Sequence, residues 1–290
     1  MDPVTVGIVG IVVLVLLFVI EFPVAFAMGF IGFIGFGYLV SFSAGLDILA
    51  IDIFENFSSS NLTVIPMFVF MGCLAFEIGM STRLFDASHA IFGKLRGGLA
   101  SAAIMACAGF AAICGSTNAT AAAMGAVSLP HMKRYHYDDS LATGSVAAAG
   151  SLGILIPPSA LLIVFGIMAE ESIGKLFMAG VLPGLLLALL FVITVTILCL
   201  RNPRLGPAGT STSLKQKLTA FSAVGEVLIL FCLVLGGLFT GWFSPTQAGG
   251  AGAAGVLILG LLRRKLTWKG FVKAGKDTLL ITCMVMFIVT

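Results

Sequence analysis

The chain has 290 residues, of which 59% are hydrophobic and only 10% charged, with a formal net charge of +3. Soluble domains carry about 25% charged residues, so this chain cannot cover a soluble surface and reads as an integral, multi-span membrane protein. Nearly all the charge falls in short loops, so it identifies no partner beyond the lipid bilayer, and no nucleic acid is expected.

No run alternates polar and apolar residues in the manner of an outer-membrane barrel. Helices are the remaining spanning element, because lipid offers no partner to an unpaired backbone group. The expected fold class is an all-α polytopic membrane protein. The 35 glycines fit close helix packing. Cys73, Cys107, Cys114, Cys199, Cys232 and Cys283 lie in apolar runs without paired spacing, so they read as packing residues, with no disulfide, metal centre or cofactor. No basic residue precedes the first apolar run, and a cleaved signal peptide is not expected. The sequence stops at Thr290 inside the apolar run 278–290, and it is expected to be a C-terminally truncated piece of a longer protein.

In chain order, spans are expected near 4–20 and 24–40, joined by a tight turn at Glu21-Phe22-Pro23. A connector over 43–60 carries Asp47, Asp52 and Glu55 and no basic residue. A third span follows at 62–79. Residues 81–95 mix Arg83, Asp86, His89 and Lys94 with apolar residues at helical spacing, the mark of an amphipathic helix in the interface.

Residues 97–130 form a long apolar stretch with a polar island at Gly115-Ser116-Thr117-Asn118. As one helix it would run about 50 Å, too long for a hydrocarbon core of about 30 Å. Both ends are basic, at Lys94 and Arg96 and at Lys133 and Arg134. Basic residues mark the cytoplasmic side, so the stretch is expected to enter and leave by one face as a re-entrant hairpin. Residues 141–168 are interrupted by Ile156-Pro157-Pro158-Ser159. Two prolines remove two backbone donors and disfavour helix before them, so a broken span is expected. A span over 173–200 follows, then a basic linker over 204–217. Runs at 218–241 and 246–262 form the next pair. A basic segment over 263–276 carries Trp268 and Phe271 as interface anchors.

With the N-terminus outside, every one of the 16 Lys and Arg residues except Lys175 lies on the cytoplasmic side. The acids Asp2, Asp47, Asp52, Glu55, Glu170 and Glu171 lie outside. Reading 97–130 as a simple span would reverse every later loop and break the positive-inside rule. A pattern of long span, proline turn and small-residue span starts near Val4 and again near Leu218, with Pro23 aligned to Pro245. The first copy starts outside and the second inside. An inverted repeat of this kind is a common transporter architecture. The expected organisation is a first repeat over 1–203, the linker 204–217, and an incomplete second repeat over 218–290.

The two breaks hold the candidate site. Hydroxyl, amide and carbonyl oxygens suit a hard cation such as Na⁺, and helix C-terminal ends favour positive charge. Half-helix N-termini suit an anionic substrate. The candidate Na⁺ ligands are Gly115, Ser116, Thr117, Asn118, Gly153 and Pro157. The candidate substrate contacts are Ser116, Asn118, Thr120 and Ser159. Simple capping is the competing account, with Asn118 and Ser159 as good N-caps. Glu226, Glu77 and Glu21 sit near span ends and read as snorkelling or structurally paired acids, and His89, His131 and His136 as solvated. An intramembrane hydrolase would need a general base beside Ser116, and no intramembrane His or Lys is available. No P-loop pattern occurs. A carrier or a channel-like membrane subunit is expected rather than an enzyme.

The runs Gly97-Gly98-Leu99-Ala100, Gly115-Ser116-Thr117-Asn118-Ala119-Thr120, Ala122-Ala123-Met124-Gly125 and Pro130-His131-Met132 resemble the large membrane subunit of tripartite ATP-independent periplasmic (TRAP) transporters. So do Gly153-Ile154-Leu155-Ile156-Pro157-Pro158-Ser159, Pro183-Gly184, Ser244-Pro245-Thr246-Gln247-Ala248, Ile65-Pro66-Met67-Phe68 and Gly72. The family pattern usually has Gly-Ser-Ser where this chain has Gly115-Ser116-Thr117, which keeps the hydroxyl. It has Gly-Tyr-Asp where this chain has His136-Tyr137-Asp138. The resemblance implies a Na⁺-driven, elevator-type importer of an organic anion, such as a C4-dicarboxylate or sialic acid, in a bacterial inner membrane. It implies a periplasmic substrate-binding protein and a small four-helix membrane subunit as partners. A related elevator carrier that needs no binding protein is the alternative.

Overall fold

The computed structural model describes residues 2–207 and 214–290. The middle of the expected linker, 208–213, lies outside the described residues. The described residues form helices and turns, with no strand among them. They divide into two compact units: Met1–Leu62 with Leu280–Thr290, and Thr63–Leu279.

In the first unit, α1 (Pro3–Val19) turns at Glu21, where φ is +60°, into α2 (Val24–Leu39), which Pro23 precedes as N-cap. The expected connector over 43–60 takes the form of a helix, α3 (Phe42–Ser58), packed on α2. Its start is a local signal: the Ser41 side chain accepts a hydrogen bond from Ala44 N at 3.1 Å. The acids Asp47, Asp52 and Glu55 are spaced among Ile48, Leu49, Ile51, Ile53 and Phe54, and all of these are exposed. The apolar residues between the acids favour a helix lying at an interface.

The second unit begins with α4 (Val64–Glu77) and α5 (Met80–Phe92), bent by 67° at Gly79. Next come α6 (Gly98–Cys114), α7 (Thr117–Arg134), α8 (Asp139–Gly150), the single turn α9 (Leu152–Leu155) and α10 (Ala160–Met168). Then α11 (Ile173–Arg201) and α12 (Leu214–Phe231) lead through a π-helical turn (Cys232–Gly236) into α13 (Gly237–Phe239). Last are α14 (Pro245–Leu262) and the first part of α15 (Trp268–Val289). Among the described residues three stretches are long and apolar enough to cross a membrane: Asp139–Met168, Ile173–Arg201 and Pro245–Leu262. The bent pair α4–α5 makes a fourth if it counts as one span.

The core of this unit is α6. Ala100, Ala102, Ala103, Ala106, Cys107 and Ala111 are buried along it, and α4, α5, α7, α8, α9, α11 and α12 pack against it. Such small side chains let helix backbones approach closely, which is how helices associate where lipid removes the hydrophobic drive. Where α5, α12 and the end of α14 meet, Glu226 accepts from both Arg83 and Arg263. Its side chain is only 12% exposed, so the two guanidiniums are what make its charge tolerable there. Glu77 pairs with Lys273 at 2.7 Å. Both acids that the sequence placed near span ends within this unit are thus structural partners.

Candidate functional site

The first break lies between α6 and α7. Gly115 ends α6 in the left-handed region, with φ +63°. A Cβ there would stand 2.3 Å from the Pro158 carbonyl oxygen, so both conformation and space demand glycine. Ser116 follows in extended conformation, with φ −132° and ψ 127°, and its Oγ accepts from Ala119 N at 3.5 Å. The chain then reverses, and α7 packs back on α6. The outer ends meet again: Leu99 N donates to Tyr137 Oη at 3.2 Å, and Tyr137 Oη donates to the Pro207 carbonyl at 3.1 Å.

The second break has the same ending. After α9, Ile156 is extended, the Pro157–Pro158 peptide is cis, and Ser159 takes φ −125° and ψ 127°. Its Oγ accepts from Leu162 N at 3.4 Å, capping α10. Ser116 and Ser159 therefore do the same job at two half-helix N-termini.

The breaks touch. Ala160 N, one of the donors that a helix start leaves unpaired, donates to the Gly115 carbonyl at 3.2 Å. A Cβ on Gly153 would fall 2.7 Å from the Ser116 carbonyl group, so the α9 turn lies directly on the α6–α7 tip. From the far side α11 closes in: a Cβ on Gly180 would meet the Leu155 carbonyl oxygen at 2.6 Å, and one on Gly184 would meet Ile156 Cγ1 at 2.6 Å.

Gly115, Ser116, Gly153, Pro157 and Ser159 thus come together, with Thr117 and Thr120 in the first turn of α7. The competing capping account holds at Ser159 and not at Asn118. The helix starts at Thr117, Ser116 is its cap, and Asn118 stands exposed in the first turn. Ser116 wins because it is the residue that stays extended directly after the left-handed Gly115. The sequence reading missed Gly180 and Gly184 as walls of the site. Their spacing of four on one helix face was the available signal.

Four buried hydroxyls among the described residues have no hydrogen-bond partner: Ser101, Thr117, Thr120 and Thr282. Thr117 and Thr120 are spaced by three and share one face of α7 at the break. Thr120 is 0% exposed. The Cys114 thiol lies beside it, but a thiol is a weak partner. Buried polar groups are normally satisfied, so these two hydroxyls, one turn apart beside the break, stand out among the described residues. The surroundings hold two helix C-terminal ends, from α6 and α9, and two N-terminal ends, from α7 and α10. The first pair favours a cation and the second an anion. No group of three or more His, Cys, Asp or Glu side chains able to hold a metal ion occurs among the described residues.

Residues 11–290 match the family described as "Tripartite ATP-independent periplasmic transporter, DctM component". The chain is 39% identical over 246 residues to the C4-dicarboxylate TRAP transporter large permease protein DctM of Pseudomonas aeruginosa, covering 83% of this chain and 56% of that protein. It is 31% identical over 270 residues to the sialic acid TRAP transporter large permease protein SiaM of Vibrio cholerae, covering 92% and 62%. It is 32% identical over 282 residues to the ectoine/5-hydroxyectoine TRAP transporter large permease protein UehC of Ruegeria pomeroyi, covering 95% and 64%. The chain spans between about half and two thirds of the length of these relatives. With nearly the whole chain matched, it belongs to the DctM component family of tripartite ATP-independent periplasmic transporters.

Proposed function

We propose that the chain is the membrane permease part of a secondary transporter that imports an organic anion along with Na⁺. The relatives' names cite C4-dicarboxylates, sialic acid, isethionate and ectoine. Each of these carries a carboxylate or sulfonate, and an acidic group is what the capped N-termini of α7 and α10 would receive. Na⁺ would sit on the carbonyls and hydroxyls of Gly115, Ser116, Thr117, Asn118, Gly153 and Pro157. The acidic group would lie next to it, toward Ser116, Asn118, Thr120 and Ser159. In this reading the protein is a multi-pass inner-membrane subunit with its N-terminus periplasmic. It works with a small four-helix membrane subunit and a periplasmic binding protein. The tip of α6–α7 re-enters from the cytoplasmic side, and an inverted repeat moves as an elevator.

The observation that carries the reading is the junction of two broken helices through Ala160 N and the Gly115 carbonyl, with two buried, unpartnered hydroxyls beside it. The experiment is uptake by the assembled transporter with Na⁺ varied, comparing Ser116→Ala and Thr117→Val with the unsubstituted chain. Raised half-saturating Na⁺ in both variants is expected. Unchanged Na⁺ dependence in both would sink the assignment.

A further inference from the structure

The segment after α14 has no part in the site, yet it carries an unusual surface. Residues 263–276 hold Arg263, Arg264, Lys265, Lys269, Lys273 and Lys276 and not one acid. Arg263 and Lys273 are neutralised from within the unit, by Glu226 and Glu77. Arg264, Lys265, Lys269 and Lys276 are exposed and form no ion pair among the described residues. Large apolar side chains stand exposed between them. Leu262 is 76% and Trp268 78% exposed, and Trp268 stacks on Phe271 with ring centroids 5.7 Å apart. Within α15, Trp268, Lys269, Val272, Lys273 and Lys276 line one shallow groove with Asp277.

A solvated surface has no use for an exposed Trp and Leu, and a plain lipid-facing surface has none for four unpaired cations. The two together fit the level of the phospholipid headgroups. There Trp rings are enriched, and cations next to a spanning helix meet lipid phosphates. The position agrees, because α14 is one of the stretches long and apolar enough to cross a membrane and the cluster starts at its last turn. We propose that residues 261–276 form a docking surface for anionic phospholipid headgroups. Arg264, Lys265, Lys269 and Lys276 bind the phosphates, while Leu262, Trp268 and Val272 enter the top of the acyl layer. This inference does not depend on the transport reading.

The chain contains two tryptophans, so Trp242→Phe leaves Trp268 as a single fluorescent probe. The protein is placed in nanodiscs of phosphatidylcholine containing either phosphatidylglycerol or phosphatidylcholine brominated near the top of the acyl chain. Each unpaired cation near an anionic surface adds about fivefold to partitioning at low salt. The mole fraction of brominated lipid needed for half-maximal quenching of Trp268 should therefore be about fivefold or more lower for phosphatidylglycerol than for phosphatidylcholine. The preference should fall toward onefold as salt rises, and also in the variant R264Q/K265Q/K269Q/K276Q. The salt titration needs no substitution in the basic segment, so a variant that fails to fold leaves the test intact. Equal quenching by both lipids at low salt overturns the proposal in favour of ordinary interfacial burial. Absence of quenching by either lipid overturns it too, because protein rather than lipid then covers Trp268.

Discussion

Thr120 offers a prediction in which stability and binding move in opposite directions. Its hydroxyl is fully buried and has no hydrogen-bond partner. Leaving such a group unsatisfied costs about 1–3 kcal/mol. Thr120→Val keeps the shape and removes the hydroxyl, so the Na⁺-free protein should gain up to about that amount. In thermal unfolding this is about 2–4 °C per kcal/mol for domains of comparable size. Na⁺ at about 100 times its Kd stabilises by about 2.7 kcal/mol. If loss of the hydroxyl weakens binding about tenfold, the same Na⁺ concentration stabilises by only about 1.4 kcal/mol. The assay is thermal unfolding of the assembled transporter in detergent, with Na⁺ or with choline. The variant should unfold at a higher temperature in choline and show about half the Na⁺-dependent rise. A lower unfolding temperature in choline would refute the claim that the hydroxyl is orphaned, and would point to a real bond to the Cys114 thiol. An undiminished rise with Na⁺ would remove Thr120 from the site.

Other positions give simpler expectations. Gly153→Ala drives a Cβ to 2.7 Å from the Ser116 carbonyl group; overpacking of this kind costs about 1–3 kcal/mol, and uptake and thermal stability should fall together. Glu226→Ala leaves Arg83 and Arg263 facing each other without their shared carboxylate. The loss should be about 1–3 kcal/mol, below the about 3–5 kcal/mol of a fully buried pair because the guanidiniums are partly solvated. Added salt should recover part of it in the same unfolding scan. Tyr137→Phe removes the hydroxyl that joins Leu99 N to the Pro207 carbonyl. Hydrogen exchange at the Leu99 amide should speed up by about tenfold or more, a change of about 1.4 kcal/mol in local opening. Hydrogen bonds from Ser140 hold the Asp138 carboxyl below the usual range. Its lowered folded-state pKa means that the α8 cap is intact at neutral pH and is lost as pH falls below about 4; protection of the Ser140 amide should decline in that window.

How much of this was legible follows from what each feature needs. The breaks were visible because they are local: a glycine, a serine and a proline pair act on the backbone of their own neighbours. Loop charge adds a constraint across the whole chain, which is why 97–130 divides at Gly115 on the sequence alone. Local signals also left choices open. Three acids mark 43–60 as a connector but leave its form open, although Ser41 and the apolar residues between the acids favour a helix. Asn118 was a good cap by type, but a cap is chosen by the residue before it, and the left-handed Gly115 hands that place to Ser116. What the sequence could not supply was the surface that each break faces. Gly180 and Gly184 lie more than 20 residues from Pro157 and Pro158, and their spacing of four marks a close approach without saying what approaches. Their meaning is relational, because they are small where Leu155 and Ile156 come near. The orphaned hydroxyls are relational in the same way. Thr117 and Thr120 read as ordinary first-turn threonines until the fold buries their hydroxyls. Composition thus located the tip, and the proposed Na⁺ site needs in addition the packing of α9, α10 and α11 around it. Substitutions at Gly153, Gly180 or Gly184 should therefore disturb Na⁺ response as much as changes to Ser116 itself.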